Sequence, residues 1–341
     1  MTEQGDFILR IGGRATLQAA PGMRRAGLVH AVLLTVATPA AAIAAIAVIS
    51  TFGFHPSDLL FLVIFHLVGA TAPTVALHRY FAHRSFASGP VTRATLAILA
   101  MTAAQGPLIY WVSNHRHHHR YSDGLDDPHS PLTRGRNRVS GLFHAHIGWM
   151  FGSAYPNPHR YARDLLAEPT IVVLNRLYPW WILLGLIVPT FAGLLLAPGA
   201  EGLIRGLVWG GLVRLVTVHH VTFSINSLGH LLGSRRFATG DGSRNMPWLA
   251  IPTLGEAWHN NHHAAPSSAR QGLGQLEIDI AFTVIRLMQI LGLAWNVRVA
   301  CLRDRSVGSQ SDPSLEWQVL NKRATSADTN SSNAGNNNQP L

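Results

Sequence analysis

The sequence predicts an all-α membrane protein: four transmembrane helices in two hairpins, with a helical cap that carries clustered histidines. Three observations lead to this fold class. Apolar residues make up 48% of the 341-residue chain and charged residues only 13%, against roughly a quarter charged in a typical soluble domain. Four stretches (26–52, 59–77, 171–196 and 203–225) are apolar over a length that crosses a bilayer, which takes ~20 residues. Nineteen histidines are present, ten of them in four tight groups in or beside the polar segments that adjoin those stretches.

Arginine places the elements relative to the bilayer. Arg10, Arg14, Arg24 and Arg25 precede the first span, further arginines fill the segment between the second and third, and Arg235, Arg236 and Arg244 follow the fourth. The two links, GFHPSD (53–58) and APGAEG (197–202), hold no Lys or Arg. Basic residues favour the cytoplasmic side, so both termini and every histidine group are expected on that face, in a bacterial inner membrane. The apolar run Leu96–Val112 is short and carries Gln105, Gly106 and Pro107. It reads as an interfacial or partly buried helix that delivers Asn114 and His115. The expected division is a cytosolic segment 1–25, a membrane domain 26–302, and a polar, disordered tail 303–341.

Charge and cysteine usage exclude other classes. The net charge of +10 comes almost wholly from arginine, Lys322 being the only lysine. Its placement follows membrane topology rather than interleaving with aromatics, so no nucleic-acid partner is expected. The single cysteine, Cys301, excludes an internal disulfide and a cysteine-based metal site. No cleavable signal is expected, because the first apolar run is too long for a signal-peptide core.

The histidine groups point to metal. HRYFAH holds His78 and His83; HRHHH holds His115, His118 and His119 around His117; NSLGH holds His230; HNNHH holds His259, His262 and His263. Spacing of i, i+3, i+4 puts three imidazoles on one helix face, and neutral imidazole is a ready metal ligand. His117 falls off that face. His78 and His83 stand about 140° apart on an ideal α-helix, so they call for two ions or a distorted helix end. Asn226 and His230 share a stripe of the fourth span, Asn226 a turn deeper, where its amide oxygen can hold a metal-bound water. A zinc site closes at four ligands, whereas nine imidazoles suit two ions with four or five each, and redox-active iron suits imidazole. Asp127, Glu256 and Asp279, with Asp123 and Asp126 nearby, can accept the outer N–H of ligating rings. His30, His55, His66 and His159 are expected at structural or surface positions, His219 and His220 in packing or behind the ligands, and His144 and His146 along a substrate path.

Together these motifs resemble the membrane fatty acyl desaturases of the stearoyl-CoA, delta-9 type. HRYFAH is similar to their first histidine box, and NHRHHHRYSDGLDDPH to the second, with its trailing Asp127, Pro128 and His129. GLFHAHIGW is similar to the stretch that here holds His146 and Trp149, NSLGH to the Asn-Ser-x-x-His element, and GEAWHNNHH to the third box. The resemblance implies two irons held by the nine histidines, with Asn226 acting through a water. It implies dioxygen as co-substrate and removal of two hydrogens from adjacent methylenes, leaving a cis double bond at mid-chain. The implied substrate is an acyl-CoA, or another acyl thioester or lipid, and the electrons come from a separate ferredoxin or b-type cytochrome with its reductase. One departure is SPLTRGRNRVS, longer and more basic than the family's link. Its Arg134, Arg136 and Arg138 read first as a solvated or lipid-facing loop, and second as a contact for CoA phosphates or an acidic carrier protein. The same site would serve a hydroxylase or acetylenase, although HxxxxH with His230 as a ninth ligand favours desaturation. A His-rich metal transporter is the reading from another class, and histidines gathered on one side of the membrane argue against it.

Overall fold

The computed structural model describes residues 15–18, 21–133, 135, 137–302 and 315–320. Arg10, Arg14, Arg134, Arg136 and most of the expected tail lie outside the described residues. Helix α1 (Pro21–Phe52) opens on a proline at its first position, where the missing N–H is no loss. Helix α2 (Pro56–Ala82) opens the same way, and Asp58 Oδ2 accepts the His55 backbone N–H at 3.1 Å. Its first part, Pro56–Thr71, is α-wound, and Ala72–Ala82 is π-wound. Pro73 sits at the change, where it removes one donor from the α-helical ladder.

The apolar run read as one helix is two, α3 (Pro90–Thr102) and α4 (Leu108–Tyr121). Ala104 (φ 54°) and Gly106 (φ 111°) turn the chain, and Pro107 cannot continue a helix. After α5 (Arg138–His146), the expected span 171–196 is also split, into α6 (Pro169–Arg176) and α7 (Tyr178–Ala192) with a 3₁₀ turn to Leu195. Pro179 lacks the N–H that an unbroken helix needs there. Helix α8 is continuous over 199–227, with π-wound Gly206–Val213 between α-wound Gly199–Arg205 and Arg214–Ser227. Gly206 lets α7 approach closely, since a Cβ there would lie 2.3 Å from the Pro189 carbonyl oxygen.

Among the described residues, three helices are long and apolar enough to cross a membrane: α1, α2 and the Tyr178–Leu195 helix. Helix α8 is not among them, because Arg205, Arg214, His219 and His220 interrupt its apolar run. Those groups face inward and are satisfied there. Arg205 donates to Asp58 Oδ2 at 2.6 Å and to the Phe52 carbonyl at 2.9 Å, so both short links meet at one end of the bundle. Arg214 donates to the Gly185 carbonyl at 2.6 Å, and His219 bonds the carbonyls of Leu215 and Ala104.

Helix α9 (His259–Ala264) and helix α10 (Ile280–Ile290) complete the helical set used below. The fold departs from all-α at two places. Strand β1 (Thr16–Gln18) pairs antiparallel with β2 (Ala154–Pro156), and β3 (Val297–Leu302) with β4 (Leu315–Leu320). Part of the expected tail is therefore ordered: Leu315, Trp317 and Val319 alternate as a strand requires, and Leu315 and Leu320 pack against core clusters at either end. The main core joins α2, α3, α4, α10 and β3 through Leu77, Phe81, Met101, Val112, Ile285 and Val297, directly beneath the histidines.

Candidate metal centre

The π-winding decides how His78 and His83 relate. His83 N–H donates to the His78 carbonyl at 3.0 Å, an i to i+5 bond, which stacks residues five apart on one face. The two rings are 4.8 Å apart between centroids, so the wide separation on an ideal α-helix does not apply. Helix α4 brings His115, His118 and His119; the end of α8 brings His230; α9 brings His259, His262 and His263. Arg116, inside the second motif, bonds the carbonyls of Phe81 and Ala82 and both oxygens of Asp164. It thereby fixes α4 to the end of α2. The two asparagines of HNNHH are anchors of the same kind: Asn260 Oδ1 accepts from the backbone of Arg236 and Phe237, and Asn261 donates to the Gln271 carbonyl.

The nine histidines separate into two groups, each with its nitrogens within 4.8 Å of one another. His78, His83, His115, His119 and His262 form one; His118, His230, His259 and His263 form the other. Facing nitrogens stand as close as 2.7 Å (His83 to His115) and 2.9 Å (His230 to His259). His263 Nε2 is buried with no hydrogen-bond partner. Burial, reinforced by neighbouring rings, holds His83, His115, His119, His259 and His262 well below the ordinary imidazole value. Burial also brings His263 down to about 4. Neutral rings with converging lone pairs are a donor set for cations, and histidine is suited to iron, copper and zinc alike.

The outer ring nitrogens meet carboxylates unevenly. In the four-histidine group, His118 Nδ1 lies 3.0 Å from Asp127, His230 Nδ1 2.8 Å from Asp123, and His263 Nδ1 2.6 Å from Asp241. In the five-histidine group, among the described residues, only His78 is so backed, by Glu256. The group with fewer rings thus has more of them oriented by a carboxylate. Burial would raise Asp127 and Asp241, yet His118 and His263 respectively hold each carboxyl far below its usual range. Asp279, expected behind a ligating ring, instead takes the buried guanidinium of Arg79 at 2.8 Å, and Arg79 bonds Glu256 at 3.1 Å. Asp126 is exposed. Asp241 escaped the sequence reading because nothing in its local spacing marks it as His263's partner.

Two adjoining cavities complete the site. A cavity of about 60 Å³ is lined by His78, His115, His118, His259, Glu256 and Asn226, among others. A larger one of about 510 Å³ shares Trp111, His115, Thr222 and Asn226 with it and extends between α1 and α7, past His30, Leu34, Tyr178 and Ile182. Its wall is mostly apolar, and Trp111, stacked on His115 at 5.0 Å, donates to Gln105, which donates to Thr222. Trp149 lines this cavity. His146 is not among its lining residues and instead bonds Ser227 Oγ and His220, each at 3.0 Å. Arg138 is exposed at the start of α5. His117 is buried against Tyr121 and Tyr161, outside both groups. His129 packs on His118 at 4.3 Å between centroids and joins it and Asp127 in a third small cluster.

A helical bundle with membrane-length apolar helices, nine converging imidazoles and an adjoining apolar cavity defines a membrane-associated protein with a histidine-rich metal-binding centre. The chain belongs to the fatty acid desaturase family, whose model matches residues 57–278. It is 41% identical over 275 residues to a hex-5-enoyl-(acyl-carrier protein) acetylenase of Moorena producens, covering 79% of this chain and 86% of that one. Identity is 37% over 256 residues to delta-9 acyl-lipid desaturase 1 of Arabidopsis thaliana, covering 74% and 78%. It is 35% over 254 residues to an acyl-CoA C20 delta5-desaturase of Anemone leveillei, covering 73% and 76%. The protein is an oxygen-dependent oxidoreductase of fatty acyl chains. The family implies a di-iron cofactor, with which the two imidazole groups are consistent.

Proposed function

We propose that the protein introduces a cis double bond at a mid-chain position of an acyl-CoA, or of another acyl thioester or lipid, using dioxygen and two electrons from a separate ferredoxin or b-type cytochrome. The observation that carries this reading is the contact between two imidazole groups, five and four strong, and a mostly apolar cavity. In this reading the nine histidines hold two irons, and Asn226, which lines the smaller cavity with two histidines of each group, acts on the metal through a water. The iron pair, when bound, supplies the strong oxidant that an unactivated C–H bond requires. The chain's own residues do the positioning. Leu34, Ile182 and Phe223 give the larger cavity an apolar wall suited to an acyl chain, and Trp111 and Thr222 form that wall where it meets His115. Asp123, Asp127, Asp241 and Glu256 keep the proton on the outer nitrogen of their rings, leaving the inner one free to ligate.

The proposed topology is four spans in two hairpins within a domain of about 26–302, with the histidine cap and both termini cytoplasmic in a bacterial inner membrane. Supporting it, both links meet at Arg205 while the histidines gather at the opposite ends of α2 and α8. A second reading has its own support: the 41% identical relative is named an acetylenase, and a chain already carrying an alkene would yield an alkyne from the same hydrogen removal. Expression in a host lacking the activity, followed by mass-spectrometric location of new unsaturation, separates the two. A hydroxy-acyl product without new unsaturation contradicts both.

A further inference from the structure

The turn between α8 and α9 stands at an unexpected depth. A helix rises 1.5 Å per residue and the hydrocarbon core is ~30 Å thick, so about 20 residues of α2 cross it. Counted from Pro56, His66 lies about halfway. His66 Nε2 is 2.9 Å from the Pro252 carbonyl oxygen, so Pro252 sits beside the middle of a span, not above it. The lipid-facing residues of α2 itself end at Val68, which is 54% exposed, and Ala72–Ala82 is wholly buried. On the turn that leads to Pro252, Trp248 is 60% exposed and Ile251 58% exposed. No charged residue occurs between Arg244 and Glu256.

We propose that segment 247–254 is a wedge embedded in the acyl region of the bilayer, and that its partner is the lipid itself. Non-helical backbone survives at that depth only if its polar groups are satisfied internally. Ala250, Thr253, Leu254 and Gly255 donate to carbonyls of the same turn at 2.8 to 3.1 Å, Pro247 and Pro252 have no N–H to satisfy, and the Pro252 carbonyl is taken by His66. The segment's inner side is packed on apolar residues, Ala250 and Leu254 being buried and Leu249 packing with Ile225 and Met246, while Pro252 and Thr253 line the smaller cavity. The apolar surface continues outward. Ala281 N–H donates to the Leu254 carbonyl at 2.9 Å, starting α10, whose outward face shows Leu287 and Ile290, 55% and 77% exposed. An outward stripe of that kind lies in the membrane interface rather than in water. Helix α9, with three of the nine histidines, begins directly after this turn. The wedge therefore sets the height of the metal centre and holds it at headgroup level instead of in the cytosol above.

The test uses the full chain with Cys301→Ser in nanodiscs of phosphatidylethanolamine and phosphatidylglycerol. Single nitroxides are placed at Ile251→Cys, Ile290→Cys and, as an exposed reference, Arg138→Cys. At 251 collisions with oxygen should outnumber those with a water-soluble nickel chelate, at 290 the excess should be smaller, and at 138 the order should reverse. Nickel access at 251 equal to that at 138 overturns the proposal. So does protection of 251 from both reagents, which would mean that a protein, such as a second copy of this chain, covers the turn. A readout that leaves the wedge intact is quenching by lipids brominated on their acyl chains: Trp248→Phe should remove part of the quenched tryptophan emission, and an unchanged quenched fraction contradicts the placement.

Discussion

Asp241→Asn should weaken metal binding in the four-histidine group while leaving the fold in place. Asp241 Oδ2 lies 2.6 Å from His263 Nδ1, and Oδ1 accepts from Ser243 Oγ, Ser243 N–H and Thr239 Oγ1. Those other bonds hold the asparagine Oδ1 in place, so its amide NH₂ faces His263 Nδ1 where the carboxylate accepted, and the ring loses the acceptor that fixes its tautomer. A hydrogen bond to a charged group is worth ~1.5–3 kcal/mol and a neutral one ~0.5–1.5 kcal/mol. Losing the charged one outright, ~1.5–3 kcal/mol, corresponds to a roughly 10- to 150-fold weaker site, overlapping the 10–100-fold typical for partners of metal-bound histidines. Titration with a competing chelator, followed by mass spectrometry of retained iron, reads this directly. One of two irons should be released at roughly ten-fold lower chelator, the other at the wild-type concentration. Equal release of both, or no change in either, refutes the idea that the carboxylates distinguish the two groups.

Three further outcomes are expected. His118→Ala should lose activity and one metal, whereas His117→Ala, which removes a ring packed on Tyr121 and Tyr161 outside both groups, should keep its full metal content at a stability loss of about 1–3 kcal/mol; equal metal loss in both overturns the assignment. A Cβ at Gly27 would lie 2.1 Å from Tyr155 Oη at the larger cavity, so Gly27→Ala should lower turnover of acyl substrate, and adding Tyr155→Phe should restore most of it; no restoration argues that the cavity holds no substrate. The Asp164 carboxyl would be raised by burial, but Arg116 and Arg84 bring it down to about 2. A depressed carboxylate stabilises the fold above its unfolded value near 4 and stops doing so as pH falls toward 2, so the wild type should lose melting temperature across that window relative to Asp164→Asn, and parallel profiles would contradict the pairing.

Local spacing made much of the site legible. HxxHH occurs twice, and its helical period alone faces three rings the same way, so the second and third motifs could be paired before any fold was known. His78 and His83 could not be placed that way, because α-helical geometry separates them and only the π-winding, triggered where Pro73 breaks the ladder, brings them together. Partners chosen by tertiary packing left no local trace: Asp241 for His263, Arg116 for Asp164, Asn260 for the backbone of Arg236. The spans stand out as apolar runs, but length and composition read through the break at Pro179, and the Leu96–Val112 run, set apart from the spans by Gln105, Gly106 and Pro107, is two helices rather than one. Helix α8 shows the opposite limit. Its arginines and histidines dilute the apolar signal, although Asp58 and the Gly185 carbonyl satisfy the two arginines inside the bundle. The tail's strand β4 was hidden because six residues of alternating character sit in a long polar stretch.

The most direct test of the central claim combines metal and product on one sample. Full-length protein, purified from membranes in detergent, is assayed for metal by mass spectrometry and then given reductant, a ferredoxin or cytochrome donor, dioxygen and a saturated acyl substrate. The account predicts two irons per chain and an acyl product two hydrogens lighter, formed only when dioxygen is present. A single zinc, or two irons with no oxidised acyl product from CoA, carrier-protein or lipid substrates, would contradict it.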